Sequence, residues 1–243
     1  MNDLLPAFLL CEHVREPDRV ARLRQEFLQK TNRHVVIDDV FQPQIIDLLQ
    51  DVVERDGKFV DNLKLSSAAK AGERTRAGMP RGSVDPEAFN SADEADRFIF
   101  QRKLDGARPS RDGTPAMKAE ALVRRAMGST SFLNWLSAIS GISLERVGGI
   151  NLKLHGPGNF LRKHSDTRQG RKLCMVHYLH RDWHPDYAGR FRLYMDDGRV
   201  ELIDPLPNRM ILFDVTQDNF HEIEALGEVP PGWVRVNYSV WYG

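Results

Sequence analysis

From Glu16 to Thr31 the apolar residues Val20, Leu23 and Phe27 recur at helical spacing among charged neighbours, which predicts a surface helix. HVVIDDVF, residues 34–41, is β-branched and aromatic and predicts a strand. Pro43 stands where a helix can start, and Ile45, Ile46, Leu48, Leu49, Val52 and Val53 give that helix an apolar face. Residues 65–95 change texture: small, polar and punctuated by Gly and Pro, they predict a long loop, of the kind that serves as linker or active-site lid. Lys70, Arg74, Arg76 and Arg81 make it basic. The plain reading is a solvated loop; the sharper one is a lid that offers cations, Arg74 and Arg76 among them, to an acidic group on a substrate. Helical stretches are predicted around 94–104 and 115–139. After Gly141 six short extended runs follow (VGGINLKLH, KLCMVHYLH, GRFRLYM, RVELI, RMILFDV, VRVNYSVWY), most of them separated by Gly, Pro, Asn or Asp, and predict an antiparallel barrel or sandwich. The class is α+β: one domain over 1–243, with mainly helical support in 1–140 and a β-rich core in 141–243.

Composition narrows the partners. Of 243 residues, 41% are hydrophobic and 28% charged, an ordinary globular balance. Lys+Arg and Asp+Glu both number 34, so the chain lacks the basic excess of a nucleic-acid binder. Cys11 and Cys174 are too few for a disulfide framework or a four-thiolate zinc site and fit a reducing, cytoplasmic setting. The apolar run Leu4–Cys11 lacks the basic flank of a signal peptide, and no stretch approaches the roughly 20 apolar residues of a membrane span.

The chemistry concentrates in RKHSDT. His164 and Asp166 are two apart, so on extended backbone both side chains leave from one face. An imidazole and a carboxylate converging on one point suit a borderline ion such as Fe(II), and a second histidine from a distant strand would leave coordination positions open for a cosubstrate and dioxygen. His221, just after RMILFDV, can supply it; the plain alternative is a hydrogen-bonded surface histidine. In the last run Arg235, Asn237, Ser239 and Trp241 share one face and Val236, Tyr238 and Val240 the other. If the first set faces inward, Arg235 needs a carboxylate partner, which a dicarboxylic cosubstrate would bring; if outward, it is merely solvated.

The ordered blocks HSD (164–166), YLHRDW (178–183), GRFRLY (189–194), PNRMILFDV leading to His221, and RVNYSVWY (235–242) together resemble the 2-oxoglutarate/Fe(II) dioxygenases of the prolyl-hydroxylase type. The resemblance covers about residues 145–243, and the HVVIDDVFQPQIIDLLQDV segment looks like the strand–helix opening of such enzymes. It implies a double-stranded β-helix (a cupin-like jelly roll) with supporting helices outside, and His164, Asp166 and His221 as iron ligands. It implies Arg235 and Tyr178 on the distal carboxylate of 2-oxoglutarate, Trp241 near the pocket as a candidate substrate contact, and His155 close to where many relatives carry a tyrosine. Two departures stand out: Gly189-Arg190 where a Gly-Gly is usual, which puts Arg190 at the barrel rim as a candidate substrate contact, and His180 where the family has Asn. The retained Asp166 favours hydroxylation over halogenation.

The implied activity is hydroxylation of an unactivated C–H bond with release of succinate and CO2, using Fe(II), 2-oxoglutarate and O2. With no extra recognition domain, the sequence leans to an amino acid or similar small metabolite as substrate; the alternative is a protein or peptide residue. A non-oxidative cupin-type metalloenzyme would not need the Arg235–Tyr178 clamp, and a non-catalytic jelly-roll module would have no reason to keep both ligands and clamp.

Overall fold

The computed structural model describes residues 4–67, 83–105 and 113–243. Its strands are β1 (His34–Ile37), β2 (Phe59–Leu65), β3 (Arg97–Leu104), β4 (Val147–His155), β5 (Phe160–His164), β6 (Leu173–Tyr178), β7 (Phe191–Tyr194), β8 (Val200–Ile203), β9 (Met210–Asp214), β10 (His221–Ile223) and β11 (Arg235–Tyr242). The helices are α1 (Leu4–Leu9), α2 (Pro17–Gln29), α3 (Pro43–Asp51), α4 (Pro86–Ser91), α5 (Pro115–Met127) and α6 (Thr130–Ser140). No described helix is long and apolar enough to cross a membrane.

The strands form one curled, antiparallel sheet in the order β1-β9-β6-β11-β4-β3-β5-β10-β7-β8, with β2 added to β3. Strand β3 pairs with β4 through its C-terminal half and with β5 through Ile99 and Phe100, and so joins the two layers of a jelly roll. Each strand alternates, and the alternation builds two cores. Leu173 and Met175 of β6, Met210 and Leu212 of β9, and Val236, Tyr238, Val240 and Tyr242 of β11 face the helices, where Leu23, Phe27, Ile45, Leu49, Phe132 and Leu136 bury them. Cys174, Val176, Tyr178, Ile211, Phe213, Phe191 and Leu193 point the other way, into the roll.

The helix predicted at 94–104 is a strand from Arg97 onward, preceded by a single 3-10 turn at Glu94–Asp96. Its mix of aromatic and charged residues suits either state, and pairing along β2, β4 and β5 decides for the extended one. The stretch predicted at 115–139 is two helices. Gly128 closes α5, and Ser129 caps α6 by accepting the Phe132 amide at 3.3 Å. Gly141, at φ +72°, ends α6 in the left-handed conformation that a side chain would strain. The predicted 65–95 loop is shortened at both ends: β2 runs to Leu65, and Asp85 caps α4, whose first residue is Pro86. Lys70, Arg74, Arg76 and Arg81, the basic part of the predicted lid, lie outside the described residues. The 1–140 segment, expected to be mainly helical, also contributes β1, β2 and β3 to the sheet.

Candidate metal and dicarboxylate site

Strands β5 and β10 pair so that His164 and His221 are direct cross-strand partners. Their rings lie 4.2 Å apart, centroid to centroid. The chain after β5 brings Asp166 alongside, with Oδ1 3.9 Å from His164 Nε2 and Oδ2 3.6 Å from His221 Nε2. One ligand atom from each residue lies within 4.8 Å of the others, a spacing that a single ion can bridge. Both imidazoles are oriented from behind: His164 Nδ1 donates to the Arg162 carbonyl at 2.9 Å, and His221 Nδ1 donates to the Asn219 carbonyl at 2.9 Å. Each bond fixes the proton on Nδ1 and leaves the Nε2 lone pair for a metal. Phe191 stacks on the His221 ring at 5.1 Å.

The Asp166 carboxylate accepts from Trp241 Nε1 at 2.8 Å and pairs with Arg171 Nη1 at 3.2 Å. Burial pushes its pKa up, but the two histidines, the indole and Arg171 outweigh that and hold it below the ordinary range. Burial lowers His164, and lowers His221 to about 4. At neutral pH the trio is thus one carboxylate and two neutral imidazoles, the protonation states that ligate metals.

Across a cavity of about 390 Å³, the floor is the inward face of three neighbouring strands. In β11, Arg235 sits opposite His155 of β4, and Asn237 opposite Lys153. On the other side Asn237 faces Tyr178 of β6. Arg235 is wholly buried, just behind His155 and Asn237, which line the cavity. Its guanidinium donates to His155 Nδ1 at 3.1 Å, to Asn237 Oδ1 at 3.3 Å and to the Tyr178 hydroxyl at 3.3 Å, while its Nε has no partner. Among the described residues no carboxylate pairs with it. An uncompensated charge in that position is costly, so the site suits an incoming carboxylate.

His155 points the same way. A guanidinium can only donate, so Nδ1 must accept and the ring proton sits on Nε2. That Nε2 is buried and has no partner. Burial, and Arg235 and Lys153 beside it, drive the His155 pKa well down, so the ring is neutral and offers one free N–H. Tyr178, whose oxygen already accepts from Arg235, likewise keeps its own proton to give. The donor set at one end fits a divalent iron and that at the other fits the carboxylate of a dicarboxylic acid.

Close approach to Arg235 is made possible by Gly189, at φ +71°: a Cβ there would stand 2.6 Å from Leu226 Cδ1 and 3.3 Å from Arg235 Cδ. The bulky neighbour Arg190 does not reach the cavity. It pairs with Asp204 at 2.8 Å and Glu224 at 3.6 Å and lies over the Trp183 ring. Arg192 is held by Glu222 at 3.0 Å. The structure therefore brings together His164, Asp166, His221, Arg235, Tyr178 and Trp241 and leaves Arg190 apart; Arg74 and Arg76 fall outside the described residues. Lys153, Arg171 and Asn237 also belong to the site. Asn151, Lys153 and His155 alternate with Ile150, Leu152 and Leu154, so the polar face of β4 was there to be read.

Residues 150–242 match the family model described as 2OG-Fe(II) oxygenase superfamily. A prolyl 3-hydroxylase OGFOD1 from Xenopus laevis is 29% identical over 179 residues, covering 68% of this chain and 35% of the relative. Its Mus musculus counterpart is 30% identical over 118 residues, 46% of this chain and 21% of the relative. The chain thus spans about a third or less of the length of these relatives. Among solved structures, a prolyl hydroxylase from Trichoplax adhaerens, in complex with a peptide fragment of hypoxia inducible factor, superposes with a TM-score of 0.61 at 16% identity, covering 96% of this chain and 95% of that one. A 2OG-Fe(II) oxygenase family oxidoreductase from Burkholderia pseudomallei gives 0.59 at 13% identity, with 92% and 90% covered. The matched segment, the fold and the His–Asp–His geometry together support a 2-oxoglutarate/Fe(II)-dependent oxygenase of prolyl-hydroxylase-like type.

Proposed function

We propose that the protein hydroxylates a C–H bond of a residue in a protein or peptide, using Fe(II), 2-oxoglutarate and O2. One observation carries the reading: a cluster of two imidazoles and a carboxylate stands across one cavity from a buried guanidinium that lies just behind its lining and has no acid of its own among the described residues. When bound, iron(II) and 2-oxoglutarate supply the oxidising power, as the dicarboxylate and dioxygen together yield succinate, CO2 and one oxygen atom for the substrate.

In this reading His164 and His221 hold the iron through Nε2 and Asp166 through its carboxylate, with Trp241 and Arg171 fixing the carboxylate's orientation. Arg235, Tyr178 and the Nε2–H of His155 hold the far carboxylate of 2-oxoglutarate. Phe191, Leu161, Val176 and Ile223 wall the cavity with apolar groups and keep bulk water from the reacting atoms.

The prolyl 3-hydroxylase relatives and the peptide-bound structural neighbour support a peptidyl substrate over the amino acid or small metabolite toward which the sequence leaned. The test is succinate release by the Fe(II)-loaded protein offered proline-containing peptides and, separately, free amino acids, with mass spectrometry of the products. A peptide that gains one oxygen atom is expected; oxidation of free amino acids alone would transfer the assignment to the small-molecule branch.

A further inference from the structure

Lys153 has no task in the site as derived so far. It lies on the inward face of β4 between Asn151 and His155 and is 9% exposed. Its ammonium stands 5.6 Å from the centre of the Trp241 ring and forms no ion pair among the described residues. Burial is the largest influence on it; the Asp166 carboxylate offsets part of that cost, and Arg235 and Lys103 add further positive charge nearby.

Charge balance gives this residue a meaning. Asp166 is the single acid among the described residues lining the cavity, against the cations Lys64, Lys153, Arg168 and Arg171. Iron(II) and Arg235 would bring three positive charges, and Asp166 with 2-oxoglutarate three negative ones, so metal and cosubstrate neutralise each other. Arg171 lies 3.2 Å from Asp166, whose one charge the balance has already used, so Arg171 counts with Lys153 among the surplus cations but, unlike it, has an ion-pair contact. Lys153 stays buried with no ion-pair partner among the described residues, its one acidic neighbour Asp166 being shared with the metal, and Lys64 and the exposed Arg168 carry the same sign along the cavity wall. A buried ammonium without a counter-charge is expensive, and a carboxylate delivered into the cavity removes the cost while selecting for its bearer.

We infer that Lys153 is a specificity-determining residue that pairs with a carboxylate of the substrate, so that the preferred substrate is an acidic peptide with Asp or Glu close to the oxidised residue. The inference rests on the peptide-hydroxylase reading above. Lys64 and Arg168 draw such a peptide toward the cavity, and Lys153 fixes the carboxylate once it is inside.

The experiment uses matched proline peptides carrying Glu or Gln at each of the three positions on either side of the proline. Oxidation is read by mass, and affinity is read calorimetrically on the Mn(II)-loaded protein with 2-oxoglutarate under exclusion of dioxygen. The wild type is expected to favour the best Glu peptide over its Gln twin by about tenfold or more in both readouts, the scale of one charge-assisted hydrogen bond. In Lys153→Met and Lys153→Gln that ratio falls to within about twofold; Met keeps the volume of the stem and guards against misfolding. Equal oxidation of Glu and Gln peptides by the wild type, or a preference that survives both substitutions, overturns this inference alone. A rise in the 2-oxoglutarate requirement of the size expected for loss of Arg235 would reassign Lys153 to the cosubstrate and overturn it too. If no peptide is oxidised at all, the underlying reading fails and this inference with it.

Discussion

Strand β11 sends Val236, Tyr238, Val240 and Tyr242 into the packing between sheet and helices, and Arg235, Asn237, Ser239 and Trp241 toward the cavity. The outward set makes two side-chain hydrogen bonds, the Tyr238 hydroxyl donating to Glu120 at 3.0 Å and the Tyr242 hydroxyl to Met175 Sδ at 3.9 Å; otherwise it packs against Leu, Phe and Ile from the helices. The inward set makes polar contacts to Asp166, His155 and Tyr178 and leaves donors unused. One alternation of period two thus separates stability from chemistry by the thickness of a single backbone. Substitutions on the two faces should have separable consequences.

The largest effect is expected at the metal end. Asp166→Ala removes the anionic ligand, and iron-dependent succinate production should drop by about a thousandfold or more while the thermal midpoint changes little; retention of metal-dependent turnover would mean that the ion binds elsewhere. Arg235→Ala should raise the 2-oxoglutarate concentration needed for half-maximal turnover by roughly 10- to 100-fold, the scale of lost charge-assisted bonds. Titrating the cosubstrate with the variant checks this, and an unchanged requirement would point to another clamp.

Acid should act on the back of the site as well as its front. Burial lowers His177 and His180 to about 4 each. His177 lies on the outward side of β6, against the Phe41 ring, and His180 bonds the Pro205 carbonyl. The folded state therefore binds these protons less readily than the unfolded chain, whose histidines titrate near 6.5. Their neutral form is fully tolerated above that value, and stability is lost progressively as pH falls from about 6.5 toward 4, by about 3 kcal/mol for each ring. Thermal midpoints across that window should fall, and His177→Gln should flatten part of the slope; a midpoint independent of pH would contradict the burial of both rings. The smallest effect belongs to the outward face: Val240→Ala should cost about 2 kcal/mol in denaturant unfolding through lost burial and a residual cavity, yet leave the 2-oxoglutarate requirement within about twofold. A kinetic change larger than the stability change would show that the two faces are coupled.

How much of this was visible in the sequence follows the range of the interactions. His164 and Asp166 were legible because two positions of extended chain suffice to align them. Arg235 was legible because RVNYSVWY alternates so strictly that its inward face could be named. His221 needed the ordered blocks of the resemblance, since only the pairing of β5 with β10 sets it opposite His164. The 94–104 segment was misread for the same reason in reverse: nothing local in RFIFQRKL excludes a helix, and its strand state depends on β2, β4 and β5. Helix α4 had a local signal in Asp85-Pro86, a cap followed by the residue best suited to a first turn, which the loop-like composition around it masked. Arg190 was placed at the rim by analogy, but Asp204 and Glu224, which occupy it, come from distant strands and loops.

The central position of β11, flanked by β4 and β6, also bears on biogenesis. A ribosome delivers residues 147–178 well before 235–242, so the nascent chain must carry two open strand edges until the segment that joins them emerges. Until then neither the guanidinium nor the indole that steadies Asp166 is in place, and a translation product arrested before β11 would be a target for chaperones rather than a weak enzyme.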